Sequence, residues 1–275
     1  MMNGRWLFLG AISLAFVASC DDLQPINGGG ASGAIPIDES NDTQTVIRGE
    51  TKELYGARVT TWVIVDKASG KLQTVKWTLP LASVYNVANL QQDFRYWIEL
   101  PAQFRDQTVF DAMSYDYLPH GHSPAGLYNI PHWDFHFTTL PRDESAAIDC
   151  RDPTIPVDAL LPKAPGAWFF VPPPDNCVPG MGIHGGSSAM AELNSHRFDK
   201  TMGMAYYHGK FASYEAKATD EYLKERKPFD IPVPRAPVKR AGLYPGSLKV
   251  TWDKPSDTFI WTLSDFTEAE VDTLP

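Results

Sequence analysis

Runs of β-branched and aromatic residues, separated by turn residues, constrain the fold of this chain most strongly. Residues 58–65 (RVTTWVIV) and 72–79 (LQTVKWTL) flank the turn sequence DKASG, and a similar pair covers residues 248–252 and 258–263. Two such runs joined by a short polar segment predict a β-hairpin. The 23 prolines and 20 glycines favour many turns over long helices. We therefore predict a mainly β protein: a single β-sandwich or barrel-like domain with one or two short helices.

Further strands and the short helices can be placed along the chain. Residues 95–100 (RYWIEL) predict another strand, and residues 204–214 (MAYYHGKFASY) predict two strands around a turn. Residues 81–90 and 218–226 are the helix candidates, and Pro228 follows the second of them.

The first 19 residues predict an export signal rather than part of the fold. Arg5 is followed by the apolar run WLFLGAISLAFVAS at residues 6–19, whose 14 residues are too few for a stable membrane span. This run ends in VASC, which resembles the lipobox of bacterial lipoproteins, where the cysteine becomes the lipidated N-terminus. We therefore expect a signal peptide over residues 1–19 and a lipid on Cys20.

The segment after Cys20 predicts a tether. Residues 21–50 are rich in Gly, Asn, Ser and Asp and hold few apolar side chains, so residues 20–50 are interpreted as the lipidated cysteine and a flexible tether. The β-rich domain is then expected over residues 51–275. The predicted location is the bacterial cell envelope, with the chain lipid-anchored in the periplasm or on the outer face of the cytoplasmic membrane.

The charge of the chain limits its partners. Twenty-four basic and 33 acidic residues give a formal net charge of -9, without a basic stripe to neutralise phosphates. This balance argues against nucleic acid as a partner. Contact with a membrane is expected through the N-terminal lipid alone. The charge does not decide whether the chain binds a small molecule, binds another protein or forms oligomers.

Two cysteines are left in the predicted mature domain. Cys150 and Cys177 are separated by 26 residues and neither belongs to a C-x-x-C pair. In an exported protein such a pair predicts a disulfide, which stabilises by about 3 kcal/mol in the chain-entropy model. A metal–thiolate site is the weaker alternative.

A dense group of histidines is the strongest chemical signal. The segment LPHGHSPAGLYNIPHWDFHF holds His120, His122, His132 and His136, and His184 follows in the glycine-rich sequence MGIHGG. Neutral imidazole is the commonest protein ligand for transition metals, and one ion needs three or four such groups. The alternative is that these histidines lie on the surface or are hydrogen-bonded in the core.

The sequence WDFHF after Pro131 predicts a strand. On a strand, His132, Asp134 and His136 share one face, and the intervening aromatic residues point to the opposite face. Positions i and i+4 of a straight strand lie about 13 Å apart, which is too far for two imidazoles to bind one ion. Either the strand bends, or one of the two histidines binds with help from another segment. Asp134 is a candidate ligand or a partner that orients an imidazole.

The order of these segments resembles a family of uncharacterised bacterial exported proteins. The signature G-H-x-P-x-G-x-Y-x-x-P-H-[FW]-D-F-H-F, followed by M-G-[IV]-H and a strand ending in glutamate, carries the resemblance over about residues 52–265. It implies a site formed by His122, His132, His136 and His184, with Glu215 in the place of the family's later glutamate. This chain has Gly185 and Ala216 where the family usually has an aromatic residue and a proline.

The leading functional hypothesis is a lipid-anchored envelope protein with a histidine-based transition-metal site. Zinc is the expected metal, and copper and iron are the alternatives. Four histidine ligands would make a closed structural site. Three would leave a position for water and for hydrolytic chemistry, with Asp134 or Glu215 as a base, so enzymatic activity is undecided.

Two other hypotheses belong to different classes. A cupin-like metal-dependent enzyme acting on a small molecule would use the H-x-H pair His120 and His122 together with Glu215 and His184. A non-catalytic module would bind a glycan or a protein through its aromatic strands and use its histidines only for hydrogen bonds.

Overall fold

The computed structural model describes residues 37–122, 126–149, 168–170, 177–187, 198–207, 210–236 and 238–271. Its strands are β1 (Gln44–Leu54), β2 (Ala57–Asp66), β3 (Leu72–Pro80), β4 (Phe94–Ile98), β5 (Ala112–Leu118), β6 (His132–Thr138), β7 (Trp168–Phe170), β8 (Cys177–Val178), β9 (Gly182–Ser187), β10 (Lys200–Tyr207), β11 (Lys210–Thr219), β12 (Phe229–Pro232), β13 (Leu243–Tyr244), β14 (Ser247–Asp253), β15 (Thr258–Ser264) and β16 (Thr267–Glu268). Its helices are α1 (Leu81–Asn86), α2 (Ala102–Gln107), α3 (Arg142–Ala146) and α4 (Asp220–Lys224). None of these helices is long and apolar enough to cross a membrane.

The strands form two large antiparallel sheets, which confirms the predicted mainly β sandwich or barrel-like class. One sheet has six strands in the order β1-β2-β3-β15-β14-β12. The other has eight strands: its path runs β4-β5-β6-β11-β10-β9-β7, and β8 pairs with β9 off that path. A two-stranded sheet of β13 and β16 completes the arrangement.

The predicted hairpins β2–β3 and β14–β15 are confirmed, as are the helices α1 and α4. The expectation of one or two helices was too low, because α2 and α3 are also present in the described part of the chain. Each has only five or six residues and follows a proline, Pro101 or Pro141. Their sequences, AQFRDQ and RDESA, are mostly polar and show no apolar stripe that would indicate a helix.

The fold begins earlier than the predicted boundary at residue 51. β1 starts at Gln44 and pairs along β2, and Asp38 accepts hydrogen bonds from Trp62 Nε1 at 2.8 Å and Lys76 Nζ at 2.7 Å. The error has a physical cause: an edge strand is held mainly by backbone hydrogen bonds, so it needs few apolar side chains.

Aromatic side chains fill the space between the two large sheets. The Phe135 ring of β6 lies 4.5 Å from that of Trp261 on β15 and 5.7 Å from that of Trp77 on β3. All three side chains are fully buried. The aromatic face of β6 therefore packs against the six-stranded sheet, and the opposite face carries His132, Asp134 and His136, as the strand pattern predicted.

Several predictions concern residues outside the described ranges. These are the signal peptide over residues 1–19, the lipid on Cys20, and the Cys150 partner of the predicted disulfide. Cys177 opens β8. Lipidation and the Cys150–Cys177 disulfide therefore stay predictions.

Candidate metal centre

Strand register places a row of polar side chains on the face of the eight-stranded sheet that points away from the aromatic core. On β11, Glu215 pairs with His136 and Lys217 pairs with Asp134. On the other side of β6, Asp116 of β5 is the partner of Asp134. Paired residues of antiparallel strands point to the same face, so the period of two on each strand gathers these groups. All five side chains are at most 2% exposed.

Two of these residues, His136 and Glu215, form a group with His184 of β9, which we call the inner triad. Their nearest ligand atoms lie within 4.8 Å of one another. Glu215 Oε1 lies 2.6 Å from His184 Nε2 and 3.3 Å from His136 Nε2. Two nitrogens and one carboxylate oxygen thus face a common point, and such a group could hold a metal ion.

Small residues on β10 allow the inner triad to assemble. β10 lies between β9, which carries His184, and β11, which carries Glu215. It presents Ala205 opposite His184 and Gly203 opposite Glu215. A Cβ atom at Gly203 would lie only 3.1 Å from Glu215 Oε2, so a larger residue there would displace the carboxylate.

The outward-facing atoms of the inner triad are each held by another group. His184 Nδ1 lies 3.0 Å from the Gly182 carbonyl oxygen and donates to it, because a carbonyl only accepts. His136 Nδ1 lies 3.2 Å from Asp116 Oδ2, and Lys217 Nζ lies 2.7 Å from Glu215 Oε2. Partners of this kind orient the ligands of protein metal sites and fix the tautomer of each imidazole.

Asp116 is itself anchored. It accepts from Arg95 Nε at 2.7 Å and also contacts Arg95 Nη2 at 2.6 Å, while Arg95 Nη1 donates to the Gly180 carbonyl at 2.6 Å. The guanidinium therefore ties β4 and β5 to the turn before β9. This turn leads directly into the strand that carries His184.

A second group, the outer triad, consists of His122, His132 and Asp134. Asp134 Oδ1 lies 3.4 Å from His132 Nε2, and Asp134 Oδ2 lies 3.7 Å from His122 Nε2. His132 Nδ1 lies 2.6 Å from the Ile130 carbonyl oxygen and donates to it. His122 is supplied by the loop between β5 and β6, where Gly121 has a φ of +62°.

Lys217 connects the two triads. Its Nζ lies 2.7 Å from Glu215 Oε2, 3.0 Å from Asp134 Oδ2 and 2.8 Å from His122 Nε2, which accepts from it. Each carboxylate thus directs one oxygen toward the ammonium and the other toward histidine.

The buried charges are balanced within the protein. Burial by itself lowers the pKa of His136, but the charges of Asp116 and Glu215 outweigh it and raise the pKa to about 9. Burial and then the charge of Lys217 lower the pKa of His122 to about 4, so that imidazole is neutral. Arg95, Lys217 and protonated His136 accordingly offset three ionised carboxylates: Asp116, Asp134 and Glu215.

The four histidines implied by the resemblance fall into two adjacent candidate groups, and the rings of His122 and His184 lie 5.2 Å apart where the groups meet. His122 and His132 belong to the outer triad, whereas His136 and His184 belong to the inner triad. The cause is the spacing on β6, since His132 and His136 are two pleats apart on a regular strand and cannot reach one ion. Asp134 and Glu215 complete the two groups as candidate ligands.

His120 lies apart from both triads. It is exposed in the turn after β5. The predicted cupin-like set is therefore not assembled, because His120 does not join His122, and His122 lies in a different triad from Glu215 and His184.

Three residues of the site were missed from the sequence: Arg95, Asp116 and Lys217. The signal that could have found the last two is alternation, because Asp116 lies between Tyr115 and Tyr117, and Lys217 lies between two alanines. A polar residue among large or small apolar neighbours marks one face of a strand. Only the strand order brings these faces together.

No protein-family model matches this chain, and neither a curated protein nor a solved structure matches it significantly.

Proposed function

We propose that this chain is a lipid-anchored envelope protein that binds one transition-metal ion, zinc first, at the inner triad. The observation that carries the proposal is the convergence of His136 Nε2, His184 Nε2 and Glu215 Oε1 while the outer atom of each ligand has its own partner. Two histidines and one glutamate are the protein ligands of one class of catalytic zinc site, in which water takes the fourth position; the burial of this triad distinguishes it from that class.

The distances suit an ion after a small adjustment. Two ligands of a tetrahedral zinc ion lie about 3.4 Å apart when each bond is about 2.1 Å. The separation of His136 Nε2 and Glu215 Oε1 is already 3.3 Å, and His184 Nε2 must move about 0.8 Å outward from its 2.6 Å contact with Glu215 Oε1 to reach that spacing. His136 must also release its Nε2 proton, because only the lone pair can bind a metal.

The depth of the inner triad favours a stabilising ion over a catalytic one. His136, His184 and Glu215 are 2%, 6% and 0% exposed, and a catalytic metal needs a position that substrate can reach. An ion that binds only the folded chain stabilises it by about 2.7 kcal/mol at a free concentration 100 times the dissociation constant.

The envelope location rests on the sequence of the N-terminus. The apolar run before Cys20 and the VASC sequence support export and lipidation, and the segment up to residue 37 would separate the lipid from the described fold. The net charge of -9 supports anchoring by lipid rather than by attraction to anionic headgroups.

The experiment is elemental analysis of the full chain, extracted with detergent from bacterial membranes and purified without a histidine tag or chelator. We expect a bound equivalent of zinc that is lost in His184→Ala and Glu215→Gln but kept in His120→Ala. His120→Ala is the matched control because it removes an exposed histidine outside both triads. Protein without metal that also takes up no zinc, copper or iron would contradict the metal site, and recovery from the soluble fraction would contradict the anchor.

A second candidate is a non-catalytic binding module whose buried polar groups only form ion pairs. Lys217 supports this reading, because its ammonium lies between Asp134 and Glu215 and balances their charges without a metal. The same analysis separates the two candidates: this module would contain no metal, and His184→Ala would not change its zinc uptake.

A further inference from the structure

We infer that the outer triad is a second metal site, separate from the ion proposed at the inner triad and weaker than it. Its ligands would be His122 Nε2, His132 Nε2 and an oxygen of Asp134. The two groups share no ligand residue, although Lys217 contacts both of them.

Two buried acceptors that face each other carry the inference. His132 Nδ1 donates to the Ile130 carbonyl, which leaves Nε2 as the ring nitrogen that can bind an ion. That nitrogen faces Asp134 Oδ1 at 3.4 Å, and neither atom has a hydrogen-bond partner within the described part of the chain. Both side chains are fully buried. A buried imidazole nitrogen and a buried carboxylate oxygen that meet without a well-formed hydrogen bond are under-satisfied, and a cation between them would bind both.

The spacing fits an ion directly. The 3.4 Å between His132 Nε2 and Asp134 Oδ1 equals the separation of about 3.4 Å expected for two ligands of a tetrahedral zinc ion. His122 Nε2 lies 3.7 Å from the other carboxylate oxygen, Asp134 Oδ2, and all the candidate ligand atoms lie within 4.8 Å of one another. The inner triad, in contrast, has a 2.6 Å contact that must open.

His122 is held in place by the backbone of its loop. Its N–H donates to the Tyr128 carbonyl at 3.1 Å. The preceding Gly121 has a left-handed φ, and a Cβ there would lie 1.9 Å from the same carbonyl oxygen. Only glycine can lie this close to the Tyr128 carbonyl, and this close contact holds His122 beside β6.

Lys217 makes the second site the weaker one. Its Nζ already contacts Asp134 Oδ2 and His122 Nε2, so an incoming cation must displace the ammonium from His122 and then lie close to its charge. Among the described residues, the histidine nitrogens of the inner triad have no such competitor, because there Lys217 contacts only the outward oxygen of Glu215.

The test is titration of the metal-free full chain in detergent with zinc chloride, followed by equilibrium dialysis and elemental analysis. We expect two equivalents in the native chain, bound in a tight and a weak step. His122→Ala is expected to lose the weak step and to keep the tight step, whose affinity shifts because Lys217 and His184 both contact His122. His120→Ala, two residues away in the same loop, is expected to behave as the native chain.

The outcomes separate the two proposals. One equivalent that survives His122→Ala and is lost in His184→Ala would overturn the second site and keep the first. One equivalent that is lost in His122→Ala and survives His184→Ala would keep the outer site and overturn the inner one. A single equivalent lost in both variants would mean one shared ion and would overturn the second site. Circular dichroism checks folding, and His122→Gln replaces the alanine variant if that variant unfolds.

Discussion

At the scale of single residues, the site depends on which atom of each side chain is already engaged. His132 and His184 both donate Nδ1–H to a carbonyl two residues earlier in the chain, from Ile130 and Gly182. This contact turns Nε2 of each ring toward a carboxylate. The same kind of local contact thus orients one histidine in each triad: His132 in the outer triad and His184 in the inner triad.

The titration of His136 gives a prediction for the metal-free chain. Burial lowers the pKa of His136, but Asp116 and Glu215 raise it to about 9, above the ordinary value of 6.5. A raised pKa contributes stability that is fully present below about pH 6.5 and is lost as pH rises through about 9. Urea unfolding in chelator is therefore expected to show a loss of up to about 3 kcal/mol between pH 6 and pH 9.5.

The matched variant for this prediction is His136→Gln, which has no proton to lose in that range. We expect it to be less stable than the native chain at pH 6 and to have a flatter profile up to pH 9.5. An equal loss in both proteins would show that another group is responsible.

The sequence located much of the site at this scale, but not all of it. His132, Asp134 and His136 were placed on one face of a strand from their spacing alone, and the structure confirms it. Lys217 and Asp116 were not identified, because isolated charged residues on other strands look like ordinary surface positions. Their role depends on neighbours that are far away in the chain.

At the scale of secondary structure elements, β6 has two different faces. Its aromatic face meets the six-stranded sheet through Phe135, whose ring lies 4.5 Å from that of Trp261. The ring of Tyr115, on the neighbouring strand β5, lies 5.1 Å from that of Phe135. Its polar face meets β5 and β11. A slip of one residue would exchange the two faces, so the aromatic packing also fixes the register of the candidate ligands.

Removing the aromatic anchor of β6 is expected to be costly. Phe135→Ala should lower the free energy of unfolding by about 3–5 kcal/mol, because a fully buried ring is lost and a cavity is left. Phe135→Leu should cost less. Tyr85→Ala, at a side chain that is 47% exposed, should cost less than about 1 kcal/mol. Urea unfolding measures all three, and a loss below that of Tyr85→Ala would contradict the proposed packing of β6.

The hairpins were predictable because both strands lie close together in the sequence. β2–β3 and β14–β15 need only a local turn and alternating side chains. The pairing of β6 with β11 joins residues that are far apart in the chain. The hydrophobic periodicity of a single strand does not indicate which distant strand pairs with it. The inner triad could therefore not be assembled from spacing alone.

At the scale of the whole molecule, the two large sheets have different roles. The six-stranded sheet supplies Trp77 and Trp261 to the aromatic core. The eight-stranded sheet completes that core with one face and carries the buried charges on the other. The composition predicted the β class, but it did not predict that the polar face would be buried.

The most direct measurement is anomalous diffraction at the zinc absorption edge, from crystals of the protein grown with zinc chloride. We expect an anomalous peak bounded by His136 Nε2, His184 Nε2 and Glu215 Oε1, at about 2.1 Å from each. Zinc-saturated crystals with no peak at that position would contradict it, even if peaks occurred at exposed residues such as His120.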